Sequence, residues 1–310
     1  MTDIVELDEP MESGHEMRDE IRRISHRTHA RRVAVSRTMV ALCSIALLIA
    51  AVPLVFLLYQ LIKQGAPQLN KAFFTTLPST PTLIAPNATG GVSNAIVGTI
   101  ALTIYASILA IPLGVLVGVY LAETESKMAT SLRIIAQTMA GAPSILMGLF
   151  AFSFVVHDLH IGFSAIAGSF ALAVLMLPVI VISSEIAVRN VPNSLREAGL
   201  ALGAKPHKVS MRIVLPTALS GIVTGALLAI SRAVGETAPV LLVIGGGFIN
   251  AWQPFNPVSA LPLAIYQNAK SQWPSQRAQV WGVALVLVAF VFVLSLTARI
   301  WATRKQQVRN

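Results

Sequence analysis

Residues 194–239 read SLREAGLALGAKPHKVSMRIVLPTALSGIVTGALLAISRAVGETAP. A short charged segment runs without a break into a long apolar one, which carries Arg232 and Glu236 near its far end. Ser194-Leu195-Arg196-Glu197 has capping-box spacing: the Ser194 hydroxyl would accept from the amide of residue 197, and the Glu197 carboxylate from the amide of residue 194. The spacing predicts a helix that starts at Ser194. Gly203 is placed to end it, and Pro206 suits the first turn of the next. So short a helix is marginal in water unless it packs on something. Leu195, Ala198, Gly199 and Leu202 fall at helical spacing and would enter a groove; the plainer reading is an amphipathic connector in which Glu197 is only a cap.

What surrounds this stretch fixes its setting. The 310 residues are 55% hydrophobic and 12% charged, with a mean hydropathy of +0.70. That excludes an ordinary soluble domain. A spanning helix needs about 20 mostly apolar residues, and six such runs occur: Met39 to Ile62, Ala95 to Tyr120, Ile134 to Val156, Ile161 to Ile186, Val214 to Ile244 and Val280 to Trp301. Long continuous runs, not alternating ten-residue segments, make the fold class an all-α polytopic membrane protein with six transmembrane helices.

The net charge of +9 would fit a nucleic-acid partner only if it lay on one soluble face. Here the basic residues flank the spans, so no nucleic-acid partner is expected. Arg18, Arg22, Arg23, Arg27, Arg31, Arg32 and Arg37 precede the first span, and Arg299, Arg304, Lys305 and Arg309 close the last. The positive-inside rule then places both termini in the cytoplasm, consistent with an even number of spans. Residues 1–37 form a tail, acidic and then basic, that is expected to lack order and whose basic half would meet anionic lipid. Residues 38–303 form the membrane domain, with a cytoplasmic loop at 187–213, and residues 304–310 a short tail.

Smaller signals resolve simply. Cys43 stands alone inside the first span and serves packing. His157-Asp158-Leu159-His160 lacks a further ligand and reads as a solvated turn, not a metal site. Trp252, Tyr266 and Trp273 suit interfacial anchoring, and Pro257 to Ile265 a short interfacial or re-entrant helix. In the third span GAPSILMGLF, residues 141–150, places Pro143 between two glycines, so a kink or a close helix approach is expected.

Arg232 and Glu236 are the costly residues. Each adds about 2.5–3.5 kcal/mol at mid-helix on insertion scales. Four residues apart, they share one helical face and offset that cost by pairing. Such charges mark a transport pathway or staple the bundle.

Glu197-Ala198-Gly199, followed by Gly203 and Ile213-Val214-Leu215-Pro216, resembles the EAA signature of bacterial ABC importer permeases, with Gly199 replacing the third residue of the usual triplet. The resemblance implies the type I importer permease (MetI-like) fold and a cytoplasmic loop docking on an ATPase through Arg196, Glu197, Ala198, Gly199, Leu202, Gly203 and Pro216. No G-x-x-x-x-G-K-[ST] loop occurs in the chain, so ATP and Mg would be used by a separate ATPase and no cofactor by this chain. The string Ser231 to Pro239 resembles the fifth-span motif of the permeases of phosphate importers, and GAPSILMGLF a matching segment of the same family. From this follow the expected pathway residues, Arg232, Glu236, Ser231, Thr237 and Ser144. The expected partners are a homologous second permease, two ATP-binding subunits and an extracytoplasmic phosphate-binding protein. Another oxyanion (phosphonate, sulfate, molybdate), or ion-coupled transport through Arg232 and Glu236, is the alternative.

Overall fold

The computed structural model describes residues 10–85, 88–247 and 252–307, and every regular element among them is helical. Helix α1 (Pro10–Gly65) contains the first span. It begins well inside the tail expected to lack order, in a stretch rich in Arg, Glu and Met, which are good helix formers; residues 1–9 and 308–310 lie outside the described residues. Residues up to Gln60 form one unit and those from Leu61 a second. In the first, Leu47, Leu48 and Ile49 are exposed, as suits side chains that meet lipid.

After the short α2 (Lys71–Thr75), the second unit is built on α3 (Ser93–Glu123) and α6 (Ala165–Arg189). Small residues recur every fourth position along α3: Gly98, Ala106, Ala110, Gly114 and Gly118, with Leu102 between. This stripe allows the two backbones to approach, the usual basis of helix association in lipid. A side-chain carbon on Gly114 would lie 2.7 Å from Ile180 Cγ2, and one on Gly118 2.6 Å from Ser184 Cβ. Helix α6 is the most buried span. The long helical run Pro206–Val234 packs on it, with Gly221 set against Ala187 and Gly225 against Ser183.

Five helices are long and apolar enough to span a membrane, and a bent pair provides a sixth crossing if counted as one. That pair corrects the continuous third span. Helix α4 (Lys127–Gly141) and the following segment, α5 (Ser144–Ala151) with a π-helical turn at Phe152–Asp158, meet at 108°. Pro143 disfavours helical backbone at the residue before it, and Ala142 is extended at φ −72°, ψ 144°. The expected kink is a break.

The fifth span also differs from expectation. It starts with α8 (Pro206–Val209), widens through a π-helical turn at Ser210–Val214 and continues as α9 (Leu215–Val234), ending ten residues before Ile244. Pro216 and Pro239 explain both irregularities, since a proline withholds an N–H and crowds the carbonyl four residues earlier. Two short helices, α10 (Ala238–Leu241) and α11 (Leu261–Ala269), follow. The short helix expected at Pro257 to Ile265 forms a few residues later as α11, and its Leu261 and Leu263 are buried in the core. The last helix, α12 (Pro274–Gln307), exceeds the predicted span at both ends.

Candidate functional site

Helix α7 (Asn193–Ala201) is the polar helix of the opening stretch. It starts one residue before Ser194, with Pro192 at the N-cap and no side-chain cap, so the capping box does not form. The Pro192 carbonyl accepts from the Leu195 amide at 3.1 Å, closing the first turn early. Freed from capping, Glu197 is exposed and makes no ion pair among the described residues. Ala198, Leu200 and Leu202 are exposed beside it, Leu202 almost fully at 89%.

Gly199 and Gly203 have separate reasons to be glycine. Gly199 is buried, and a side-chain carbon there would lie 2.8 Å from Ile213 Cδ1 and 3.0 Å from Val209 Cγ2. Gly203 has φ +77°, the left-handed conformation that ends helices; its amide donates to Leu200 O at 2.9 Å and that of Ala204 to Gly199 O at 3.2 Å. Pro206 occupies the first turn of α8, as expected. Pro216 is exposed in the first turn of α9.

Arg196 faces inward. Its guanidinium bonds the Glu123 carboxylate at the end of α3 and donates to Val188 O, in the last turn of α6, at 3.0 Å. A second cluster lies nearby, joining α4 and α6 at the end of α3. Glu185, 8% exposed at its side chain, is bridged by Arg133 at 2.8 Å and Arg189 at 3.0 Å. Both arginines also donate to Leu121 O, at 3.1 and 3.3 Å. No local pattern in the sequence singles out Glu123 or Arg133, whose ion-pair partners lie 73 and 52 positions away. Only the Glu185/Arg189 spacing of four, at the end of an apolar run, was a local signal.

At the other end of α9, Arg232 sits in the last turn, where the partial negative charge of the helix C-terminus favours a cation. Its side chain is 48% exposed, and its Nε lies 3.5 Å from Glu236 Oε1. Glu236 lies beyond the helix, after Gly235, which corrects the single helical face expected for the pair. The pairing survives because the chain turns back, with the Glu236 amide donating to Ala233 O at 3.2 Å. Glu236 lines a small cleft with Thr99, Thr103, Leu172 and Val240.

The other predicted pathway residues divide. The Ser231 hydroxyl donates to Leu227 O at 2.9 Å and accepts from Ser295 at 3.4 Å, so it ties α9 internally and to α12. Thr237 caps α10 by position without a side-chain bond. Ser144 opens α5, half-buried and one turn before Gly148. Gly148 touches Pro239, and a side-chain carbon on it would lie 2.6 Å from Pro239 Cα. The structure thus brings α5 to the Thr237–Pro239 turn.

The chain is thus α-helical and multi-pass, with an exposed polar helix before one span and a loosely paired arginine at the far end of that span. Residues 110–307 match the family model described as binding-protein-dependent transport system inner membrane component. The phosphate transport system permease protein PstA of Haemophilus influenzae is 37% identical, over 87% of this chain and 95% of its own. PstA 1 of Mycobacterium tuberculosis strain H37Rv is 38% identical over 84% of this chain and 86% of its own. The chain belongs to the PstA family of permease proteins. An inward-facing structure of the MetNI methionine ABC transporter shares the fold at TM-score 0.56 and 23% identity, covering 68% of this chain and 94% of that one.

Proposed function

We propose that the chain is the permease subunit through which an ATP-driven importer moves inorganic phosphate across the cytoplasmic membrane. The observation that carries this is the half-exposed Arg232 guanidinium, in a chain 33–39% identical to phosphate transport system permeases. Phosphate is a hydrated anion that needs a fixed positive group to cross a low-dielectric passage. Arg232 presents planar donors that match its oxygens. Glu236, at 3.5 Å, orients the guanidinium and weakens its hold so that the anion can leave. Thr237 and Ser144 add neutral donors; the Ser231 hydroxyl is committed to its own helix and α12.

The assembly in this reading contains a homologous second permease, two ATP-binding subunits that use ATP and Mg, and an extracytoplasmic phosphate-binding protein. Both termini and α7 lie in the cytoplasm, where the basic residues flanking the first and last spans belong. Closure of the ATPase pair pushes on α7, and the two permeases alternate their opening around the anion. This chain performs no covalent chemistry.

Uptake of labelled phosphate by the complex reconstituted in vesicles tests the reading. Uptake is expected to need ATP, to persist when the proton gradient is collapsed, and to resist excess sulfate, molybdate or phosphonate. Uptake that survives without ATP and falls with the gradient would overturn it, and competition by another oxyanion would reassign the substrate. The docking role of α7 is tested by Glu197→Lys. This carboxylate is exposed and makes no ion pair among the described residues, so permease stability should stay within about 0.5 kcal/mol. Capture of the ATPase subunit should fall about tenfold, as expected for reversing a charge at a contact. Unchanged capture would place the docking surface elsewhere.

A further inference from the structure

Helix α7 is nine residues long, and Gly199 is its one buried residue. Apolar packing therefore holds it weakly, yet a helix that transmits a push must be fixed to what it moves. Arg196 and Glu123 supply that fixation. Their side chains are only 22% and 24% exposed, which sets the pair apart from the freely solvated ion pairs that contribute little. The second oxygen of Glu123 accepts from Ser210 Oγ at 2.6 Å, so one carboxylate joins α7, the π-helical turn leading into α9, and the end of α3.

Two residues earlier, Leu121 O receives Arg133 of α4 and Arg189 of α6. Helix α4 leads through the Ala142-Pro143 break into α5, whose Gly148 rests on Pro239 beside Thr237 and Glu236. A connected route thus runs from α7 through α3 and α4 to the turn that carries Glu236, separate from α9.

We infer that Glu123 is a positioning residue for coupled transport: it delivers the displacement of α7 to α3, in parallel with the path along α9. The role rests on the proposed function. The complete complex, reconstituted in vesicles, is assayed for labelled phosphate moved per ATP hydrolysed. Glu123→Gln is expected to keep ATPase capture and hydrolysis within about twofold while phosphate per ATP falls about fivefold or more, the lower range of coupling between distant sites. Glu123→Arg combined with Arg196→Glu should recover at least about half of the ratio, because the pair re-forms in reverse. A purely structural role would lower capture, hydrolysis and uptake together and leave the ratio intact.

Ser210→Ala provides a milder test, since it removes one tie and leaves the ion pair. A partial fall in the same ratio is expected. An unchanged ratio in both single variants overturns the role, as does an unchanged ratio in Ser210→Ala where Glu123→Gln fails to assemble. A wild-type complex that moves no phosphate with ATP overturns the proposed function and this role together; an active wild type with unaltered variants overturns this role alone.

Discussion

Replacing Arg232 with alanine is expected to reduce ATP-driven phosphate uptake about 100-fold or more while the permease still inserts and assembles. The side chain is half exposed and its one partner among the described residues is Glu236, at 3.5 Å. Little packing is therefore lost on truncation. What disappears is a pair of charge-assisted donors to the passing anion, each worth about 1.5–3 kcal/mol, and each 1.4 kcal/mol is a factor of ten. Arg232→Lys should fall between the two, since an ammonium keeps the charge but not the planar fork. Uptake at low phosphate, set beside the amount of assembled complex, separates transport from folding. Full uptake by Arg232→Ala would remove this residue from the pathway and leave the arginine–glutamate pair a staple.

The legibility of each part in the sequence followed from the range of the interaction that made it. Hydropathy located the spans because burial in lipid acts on every residue of a run. It missed the break at Ala142 and Pro143, where the apolar character continues through a backbone that turns by 108°. It overran the end of α9 for the same reason, since Val240 to Ile244 are apolar but no longer part of that helix. The Ser194 capping box had the correct spacing and failed because Pro192 starts α7 one residue earlier. Gly203, by contrast, acts through its own φ, and its role was readable from position alone.

The charged residues divide in the same way. Arg232 and Glu236 are four apart, so their pairing was visible, although the helix ends between them. Arg196 and Glu123 are brought together across 73 positions, and Arg133 and Glu185 across 52. No periodicity links such pairs; only the packing of α3, α4, α6 and α7 does. Arg196, which by sequence reads only as a docking residue, also ties α7 to the ends of α3 and α6.

The other large effect is expected at Gly148, where the broken third span meets the end of the fifth. A valine there would place its Cβ 2.6 Å from Pro239 Cα and 2.8 Å from Pro239 O. Both are backbone atoms, and neither can swing aside as a side chain would. Helix α5 must move away from α10, at a cost of about 1–3 kcal/mol for overpacking, and Thr237 and Glu236 lie within the same turn as Pro239. Thermal unfolding of the purified permease should shift downward, and phosphate uptake should fall further than the loss of folded protein explains. Gly141→Ala is the control within the same GAPSILMGLF segment, since a side-chain carbon at Gly141 meets no atom of the described residues within 4 Å, and its unfolding should match the wild type. A tolerated Gly148→Val beside a damaging Gly141→Ala would move the constraint from the α5–α10 contact to the break itself. The opposite pattern would place the broken span in direct backbone contact with the turn that carries Glu236, because only such a contact leaves no side chain to give way to the added carbon.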